Sequence, residues 1–471
     1  MHIVFLNPQG NFDPSDSYLA EHPDFGGQLV YVKEVAQAMV ELGHRVDIVT
    51  RRVRDNAWPE FAADQDTYAG FERDLRILRF PCGGDEFLAK ENLWPHLPEL
   101  IKGMLNFYGD QLPDCATAHY ADGGYCGILT LIKTGVPFIF TGHSLGAQKL
   151  DKLGIRRENW HHAEARYKFS CRIDAERASM WHASRIIVST SQEKSEQYAH
   201  PLYKGAVDAS EDSLFAITSP GVNTHIFRIE PTEEDKAVWA DLTGRFADEK
   251  GPVTLVSSRL DEKKNIIGVV KAYANSKELQ KNTALVLSVR GIEIPERDIK
   301  KLSESEQAVL REILSVIKEA QITEKVYFLN IRSQRELAAT YRYFAERGSV
   351  FALTSFYEPF GLAPIEAAAS GLAPVVTNKG GPKEIFADGS GVLVDPFLPE
   401  DIARGLLDGF KRHKELSAAA IRRVKKTYTW QQTAQGYIAA IEQVLANPRN
   451  STPALPIQLD ATPRITDYLE V

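Results

Sequence analysis

Residues 28–50 read QLVYVKEVAQAMVELGHRVDIVT, in which a helix pattern passes directly into a strand pattern. Apolar residues recur at helical spacing from Gln28 to Leu42, and Gly43 is typical of a helix end. Residues 45–50 then form a short apolar run of strand length, and residues 3–6 form a similar run before the helix. A strand, a helix and a second strand in this order predict a β-α-β unit with parallel strands.

The alternation of strand and helix patterns extends over most of the chain, and the turn-rich residues 219–223 interrupt it once. The further strand patterns lie at residues 75–80, 136–141, 186–189 and 215–217, and then at 253–257, 285–289, 326–329, 350–353, 373–377 and 391–394. We therefore predict an α/β protein with two Rossmann-like, doubly wound parallel-sheet domains. Such domains bind ligands at the carboxyl ends of their strands, and we expect a cleft between the two.

The first domain is expected to cover residues 1–225 and to be joined by a helix around residues 430–446. The second domain is expected to cover residues 226–429. Residues 447–471 should form an irregular tail, because its prolines cannot continue a helix. These prolines are Pro448, Pro453, Pro456 and Pro463.

Composition excludes several classes of partner. The formal net charge of the 471-residue chain is −8, so we expect neither nucleic acid nor an anionic membrane surface as a partner. The four cysteines form no C-x-x-C pair, which argues against structural zinc and favours a reducing compartment. The first apolar run is too short for a signal peptide, and no run approaches a membrane span, so a cytoplasmic location is expected.

The most informative motif of the second half is residues 354–371, TSFYEPFGLAPIEAAASG, which follow a predicted strand. Pro364 fits the first turn of a helix that ends at Gly371, and backbone amides at such an N-terminus favour phosphate groups. Glu358 precedes this helix and Glu366 is expected in its first turn. Carboxylates accept sugar hydroxyls, so the motif favours a nucleotide-sugar, although an ordinary acidic helix N-terminus is the alternative interpretation.

A second group of charged residues follows the predicted strand at residues 253–257. Arg259 and Lys264 lie between that strand and the next helix, where they can neutralise a diphosphate leaving group. A solvated run of charges is the alternative interpretation.

Two motifs of the first half also lie at strand or helix ends. Residues 22–28, HPDFGGQ, end where the first helix begins, and their two glycines let a ligand approach the backbone, although a simple tight turn is the alternative. Residues 141–150, TGHSLGAQKL, follow a predicted strand. The cations of this half form a phosphate clamp if they converge. They are Lys90, Lys149, Lys168 and Arg172.

The pattern Glu358-Pro-Phe-Gly…Glu366, with Arg259 and Lys264 earlier in the chain, resembles the retaining glycosyltransferases of the GT-B fold. The resemblance implies that Glu358 binds donor-sugar hydroxyls, that Glu366 binds the nucleotide ribose, and that Arg259 and Lys264 bind the diphosphate. The remaining donor-binding residues that it implies are Gly27, His143, Phe360, Gly361, Leu362 and Ala363.

Residues 23–28, P-D-x-G-G-Q, resemble a motif that sucrose synthases and sucrose-phosphate synthases share, and residues 141–150 are similar to the second group. The resemblance implies fructose 6-phosphate as acceptor and UDP-glucose as donor, with ADP-glucose as a further candidate, and transfer with retention to give sucrose 6-phosphate. The implied acceptor-binding residues are Gly26, Gly27, Gln28, Lys90, Tyr120, Ser144, Lys149, Lys168 and Arg172.

The resemblance also implies a mechanism of same-face attack in which the departing phosphate accepts the proton of the acceptor hydroxyl. The catalytic residues would then be His143, Arg259, Lys264 and Glu358, with no general base. We expect no required cofactor or metal, with Mg²⁺ at most stimulatory, and a separate sucrose-phosphate phosphatase downstream. The acid-x-acid run Asp64-Gln65-Asp66 matches metal-dependent transferases but lies outside these motifs.

Three alternatives stay open at this point. A mannosylfructose-phosphate synthase that uses GDP-mannose would share the acceptor and the donor loop. Residues 142–146 match G-x-S-x-G, the nucleophile elbow of α/β-hydrolases, with Ser144 as nucleophile and Asp174 and His200 as possible partners. A nucleotide-sugar sensor without turnover is the third alternative.

Overall fold

The computed structural model describes residues 1–17, 24–447 and 458–470. The chain forms two compact units. The first comprises Met1–Ser219 and Trp430–Val471, and the second comprises Pro220–Thr429. The division after Ser219 falls a few residues before the boundary expected after residue 225.

The strands of the two units build one sheet each. In the first unit they are β1 (His2–Leu6), β2 (Arg45–Arg51), β3 (Gln65–Asp66), β4 (Leu75–Phe80), β5 (Cys115–His119), β6 (Phe138–Thr141), β7 (Arg185–Val188) and β8 (Phe215–Ile217). In the second they are β9 (Val253–Ser257), β10 (Ala284–Ser288), β11 (Val326–Leu329), β12 (Val350–Leu353), β13 (Ala373–Thr377) and β14 (Val392–Val394).

The helices cover both faces of these sheets. They are α1 (Gly27–Glu41), α2 (Leu97–Tyr108), α3 (Tyr120–Thr134), α4 (Gly146–Lys152), α5 (Trp160–Tyr167), α6 (Phe169–His182), α7 (Asp235–Arg245), α8 (Ile266–Asn275), α9 (Lys277–Asn282), α10 (Pro295–Asp298), α11 (Glu304–Glu319), α12 (Gln334–Ala345), α13 (Leu362–Ala369), α14 (Gly381–Ile385), α15 (Pro399–Lys411), α16 (His413–Thr427), α17 (Trp430–Ala446) and α18 (Thr462–Leu469).

The sheet of the first unit has the order β3-β4-β2-β1-β5-β6-β7-β8, and that of the second has the order β11-β10-β9-β12-β13-β14. All neighbouring strands are parallel except β3, which pairs with β4 in antiparallel register. The predicted α/β class with two parallel sheets is confirmed. The strand order reverses beside β1 in one unit and beside β9 in the other, where doubly wound folds bind ligands.

Both faces of each sheet are buried, as the apolar strand runs require. In β1, Val4 and Leu6 contribute to one hydrophobic cluster, whereas Ile3 and Phe5 contribute to the cluster on the opposite face. All four are 0% exposed. Because successive side chains of a strand point to opposite faces, each face of the sheet packs against its own layer of helices through one of the two clusters.

The C-terminal segment differs in part from the expectation of an irregular tail. Helix α17 packs on α1, where the Tyr31 hydroxyl donates to the Tyr437 hydroxyl at 3.1 Å. Helix α18 lies inside the expected irregular segment, so that prediction is wrong for Thr462–Leu469. Pro463 lies in its first turn, where a missing backbone N–H removes no intrahelical bond. The other three prolines lie outside the described residues.

In the part of the chain that the structure describes, no helix combines the length and the hydrophobicity that crossing a lipid bilayer requires.

Candidate active site

The predicted donor motif forms the turn from β12 into α13. Gly361 precedes the helix with φ 103°, a left-handed conformation that glycine adopts without strain. Helix α13 begins at Leu362, two residues before Pro364, so Glu366 lies in its second turn. The expectation that Glu366 lies in the first turn is therefore wrong, because Gly361 rather than Pro364 determines where the helix starts.

Glu358 and Lys264 form an ion pair. The Lys264 ammonium donates to Glu358 Oε2 at 2.7 Å, and the Ser355 hydroxyl donates to the same oxygen at 3.3 Å. The two charged side chains are 25% and 14% exposed. They come together because β9 and β12 are neighbours, so the turns at their carboxyl ends meet at one edge of the sheet.

Two glycines that follow β13 support the Glu358 loop. The Gly381 amide donates to the Glu358 carbonyl at 2.8 Å. A Cβ at Gly380 would lie 2.0 Å from that carbonyl oxygen, and a Cβ at Gly381 would lie 2.4 Å from the carbonyl oxygen of Phe360. Only glycine permits this approach. We did not single out these glycines from the sequence, although a Gly-Gly-Pro run after a strand was the available signal.

The other predicted donor residues of this unit occupy different environments. Arg259 is exposed, and its guanidinium has no hydrogen bond or ion pair within the described ranges. Phe360 is 8% exposed and packs edge-on against Tyr428, so its side chain belongs to the core. Leu362 is exposed and Ala363 is half-buried.

Glu366 is partly buried, and burial raises the pKa of its carboxyl to about 7. Its charge also contributes to the raised pKa of Tyr341, after the larger effect of burial. The carboxyl therefore lacks the strong cationic partner that Glu358 has. Hydroxyl donors from a ligand would favour its ionised form.

In the first unit, His143 follows β6 and has φ 55°, an uncommon conformation for a residue with a side chain. Its Nε2 lies 2.9 Å from His119 Nδ1. The Tyr31 ring meets it edge-on at 5.0 Å, and the Tyr120 ring stacks on it at 5.4 Å. Burial lowers the pKa of His143 to about 3, so the imidazole is neutral at physiological pH.

Several predicted acceptor residues line one cavity of about 230 Å³. They are Lys90, Tyr120, Ser144, Lys149 and Arg172. Tyr120 and Ser144 follow β5 and β6, which are neighbours in the sheet, and Lys149 lies in α4 after the second of these strands. The convergence of cations that sequence spacing alone leaves open is thus present in the fold for Lys90, Lys149 and Arg172.

The charges around this cavity are unequally compensated. Lys90 pairs with Asp24 at 2.5 Å, and Arg172 pairs with Glu176 at 3.0 Å. Lys149 forms no ion pair in the described part of the chain, and its ammonium lies 4.3 Å from the centre of the Tyr167 ring. Burial, with Arg172 and Lys90 nearby, lowers the pKa of Lys149 to about 8. An anion in the cavity would relieve this repulsion.

The remaining predicted acceptor residues lie outside the lining of this cavity. Gly26 and Gly27 begin α1, and a Cβ on either would meet no atom of residues 1–17, 24–447 or 458–470 within 4 Å. Their φ angles also lie outside the left-handed region, so neither the backbone conformation nor packing against the described residues requires glycine there. Gln28 donates to Asn7 Oδ1 at 3.2 Å. Lys168 has φ 51° between α5 and α6 and is not brought to the cavity. His22 and Pro23 lie outside the described residues.

Sequence reasoning missed other residues of the cavity lining, notably Gln9, Trp94, Asp122 and Tyr167. The polar run after β1 was a signal for Gln9. Asp122 lies in the first turn of α3, after the unpredicted β5, and burial raises the pKa of its carboxyl to about 6. No sequence signal pointed to Trp94 or Tyr167.

The acid-x-acid run is held by ion pairs. Asp64 Oδ1 accepts from Arg52 at 2.7 Å, and Asp66 pairs with Arg79 at 3.4 Å. Within residues 1–17, 24–447 and 458–470, no three His, Cys, Asp or Glu side chains are grouped as a metal site would require.

The residues proposed for a hydrolase triad are engaged elsewhere. His200 Nε2 pairs with Asp151 at 3.0 Å, and its Nδ1 accepts from the Leu202 amide at 3.1 Å. Asp174 accepts from the backbone amides of Gln458 and Leu459. His200 therefore has no free nitrogen to take a proton from Ser144.

Comparison with known proteins defines the class. A family model described as "Glycosyl transferase 4-like domain" matches residues 26–204, and one described as "Glycosyl transferases group 1" matches residues 241–427. The sucrose-phosphate synthase structure from Thermosynechococcus elongatus has the same fold, with a TM-score of 0.66 at 22% identity over 95% of this chain and 99% of that one. The chain is a glycosyltransferase of the GT-B fold.

Closer relatives define the family. A "Probable sucrose-phosphate synthase" from Thermosipho melanesiensis is 44% identical over 94% of this chain and 97% of its own length. The sucrose-phosphate synthase of Spinacia oleracea is 30% identical over 86% of this chain, which spans 44% of that longer protein. The chain belongs to the sucrose-phosphate synthase family and is a hexosyltransferase, as its motifs predicted.

Proposed function

We propose that the protein transfers glucose from UDP-glucose to fructose 6-phosphate with retention, giving sucrose 6-phosphate and UDP. The observation that carries the acceptor assignment is the small cavity lined by Lys90, Lys149 and Arg172, in which Lys149 forms no ion pair with the described residues. A sugar phosphate supplies both the missing anion and hydroxyl groups for the polar lining. ADP-glucose is the second candidate donor.

In the proposed acceptor site, Lys149 and Arg172 bind the phosphate by charge-assisted hydrogen bonds, and the exposed Ser144 hydroxyl donates to it. Lys90 changes partner from Asp24 to the ligand or bridges both. Tyr120 contributes one wall. Gly26, Gly27 and Gln28 at the start of α1 are proposed to contact the sugar, because none of the described residues occupies the space above the two glycines.

In the proposed donor site, Glu358 accepts hydrogen bonds from glucose hydroxyls and Glu366 accepts them from the ribose. Lys264 moves from Glu358 towards the diphosphate, which Arg259 and the amides of Gly361 and Leu362 also bind. These donors stabilise the charge that grows on the leaving group. The bond from the anomeric carbon to the diphosphate oxygen breaks while the acceptor hydroxyl forms the new bond on the same face and gives its proton to the departing phosphate.

The ion pair between Glu358 and Lys264 supports these separate roles in binding the sugar and the diphosphate. The two charges neutralise each other at 2.7 Å, so both groups are satisfied within the fold. A bound nucleotide-sugar offers hydroxyls to one and a diphosphate to the other. We further propose that no cofactor is required, that Mg²⁺ is at most stimulatory, and that the enzyme works in the cytoplasm with a separate phosphatase downstream.

The test is UDP release from UDP-glucose with fructose 6-phosphate, with fructose, or with no acceptor, with and without EDTA. Release only with the phosphorylated sugar, and an α-configured product by NMR, support the proposal. Faster release from ADP-glucose or GDP-mannose would reassign the donor, and the latter would favour the mannosylfructose-phosphate alternative. Binding of donor and acceptor with no release from any donor would favour a sensor.

Lys149→Ala tests whether the cavity binds the acceptor phosphate. The variant should raise the KM for fructose 6-phosphate about 10- to 150-fold, because a charge-assisted hydrogen bond contributes about 1.5–3 kcal/mol. Lys168→Ala is the matched control, since Lys168 does not line the cavity. An equal rise in this KM for both variants would show that the cavity does not bind the acceptor.

A further inference from the structure

Three polar side chains form a hydrogen-bonded row that ends at His143. Thr117 and His119 are two residues apart on β5, so they lie on the same face of the strand. Thr117 Oγ1 lies 3.1 Å from His119 Nε2, and His119 Nδ1 lies 2.9 Å from His143 Nε2. His143 Nδ1 has no hydrogen-bond partner among the described residues.

Both imidazoles are neutral, so each carries one ring proton. Burial lowers the pKa of His119 well below its usual range, with His143 adding to the effect, and burial lowers that of His143 to about 3. Only one proton can lie between the two facing nitrogens. The row therefore has two consistent arrangements, which differ in the direction of every hydrogen bond.

The hydroxyl of Thr117 selects between these arrangements. Thr117 is 0% exposed, and His119 Nε2 is its side chain's only hydrogen-bond partner within the described ranges. If Thr117 accepts from His119, its own O–H is buried without an acceptor, which is the costlier state. If Thr117 donates, His119 carries its proton on Nδ1 and donates to His143 Nε2. His143 is then protonated on Nδ1.

The surroundings also hold the His143 ring in one orientation. The backbone at His143 has φ 55°, and the rings of Tyr31, Tyr120 and His119 contact the imidazole from three sides. A 180° rotation about the Cβ–Cγ bond would exchange Nε2 with Cε1, so it would break the hydrogen bond to His119. The tautomer therefore determines which kind of atom His143 presents on its open side.

We infer that Thr117 and His119 are positioning residues that keep His143 in its Nδ1–H tautomer, as a hydrogen-bond donor to a hydroxyl oxygen of the donor hexose. The identity of that hexose rests on the proposed function, whereas the tautomer does not. An ordinary packing role of Thr117 predicts instead that the tautomer is independent of its hydroxyl.

The test compares Thr117→Val, which replaces the hydroxyl by a methyl group of similar shape, with Thr117→Ser, which retains the hydroxyl. The ring nitrogens of His143 are observed by NMR of the full chain with ¹⁵N-labelled histidine, and His143→Gln identifies their signals. We expect Nδ1 protonated in the wild type and in Thr117→Ser, and a mixture of tautomers in Thr117→Val. A wild-type His143 protonated on Nε2, or an unchanged tautomer in Thr117→Val, overturns the inference.

The kinetic measurement is kcat/KM for the donor. Thr117→Val should lower it about three- to tenfold, the effect of losing one neutral hydrogen bond, whereas Thr117→Ser should stay within about twofold of wild type. Equal values for the two variants overturn the positioning role. If the wild type transfers no glucose from UDP-glucose, the proposed function fails, and the NMR measurement still decides the tautomer.

Discussion

The pH dependence of acceptor binding tests the role of Lys149. Burial, with Arg172 and Lys90 nearby, lowers the pKa of Lys149 to about 8. A bound phosphate dianion favours the charged ammonium and raises this pKa. Affinity for the sugar phosphate should therefore be highest near pH 7 and fall as the pH rises through 8.

The magnitude follows from the fraction of protonated Lys149. With a pKa of about 8, roughly nine tenths of the side chains are charged at pH 7 and roughly one tenth at pH 9, so KM should rise about tenfold. The phosphate group is not the cause, since its second pKa of about 6 leaves it a dianion over this range. Tyr120 and Arg172 also stay outside the window, because both pKa values are raised.

The assay is steady-state release of UDP at saturating donor, with the KM for fructose 6-phosphate measured between about pH 6.5 and 9.5. Lys149→Arg is the matched control, because a guanidinium stays charged throughout and should flatten the profile. The donor KM should not follow the same profile. A KM that is constant from pH 7 to 9 in the wild type, or the same rise in Lys149→Arg, would refute the reasoning.

Three further predictions concern the second unit. Glu358→Ala should abolish turnover and leave UDP binding largely intact, whereas Glu366→Ala should weaken both; equal loss of UDP binding by calorimetry contradicts these separate roles. Wild-type UDP affinity should rise as the pH increases through about 7, because the ionised Glu366 carboxyl accepts ribose hydroxyls, and Glu366→Gln should abolish this dependence. Asp235→Ala should lower the free energy of unfolding by ~3–5 kcal/mol, because it leaves the Arg342 guanidinium buried without its carboxylate. Glu234→Ala, which removes an exposed ion pair, should cost under about 1 kcal/mol in the same denaturant titration, and similar costs for the two variants would contradict the prediction.

The sequence predicted most strands of both sheets because parallel strands are buried on both faces and therefore contain continuous β-branched runs. Strand β9, with the sequence VTLVS, has this composition, and its predicted and observed bounds coincide at Val253–Ser257. Strand β5, CATAH, was missed although it pairs with both β1 and β6. Small residues fit beneath the helices at the centre of a sheet but give little strand signal.

The candidate site was predictable to the extent that its residues belong to local motifs. Ser144 and Lys149 come from one segment, and their motif placed them together. The convergence of Arg172 from α6 is a property of tertiary packing. The grouping of cations and the family resemblance that suggested Arg172 also suggested Lys168, which does not line the cavity. The hydrogen-bond partner of His143 could not be predicted either, because His119 is the last residue of β5, the strand that the sequence analysis missed.

Backbone strain links these observations. Tyr120 and His143 have φ 64° and 55° in the turns after β5 and β6, and Asn265 has φ 50° in the turn after β9. Such conformations persist only where neighbours hold them. The Asn265 amide does so by donating to the carbonyls of Thr354 at 3.0 Å and Pro396 at 2.7 Å, which ties the turn that carries Lys264 to the loop that carries Glu358. In the first unit, the stacked rings of His143 and Tyr120 contact each other directly. The strand ends that carry the motif residues are therefore also the places where the backbone is strained. Because their geometry is fixed before a ligand binds, less conformational entropy is lost on binding.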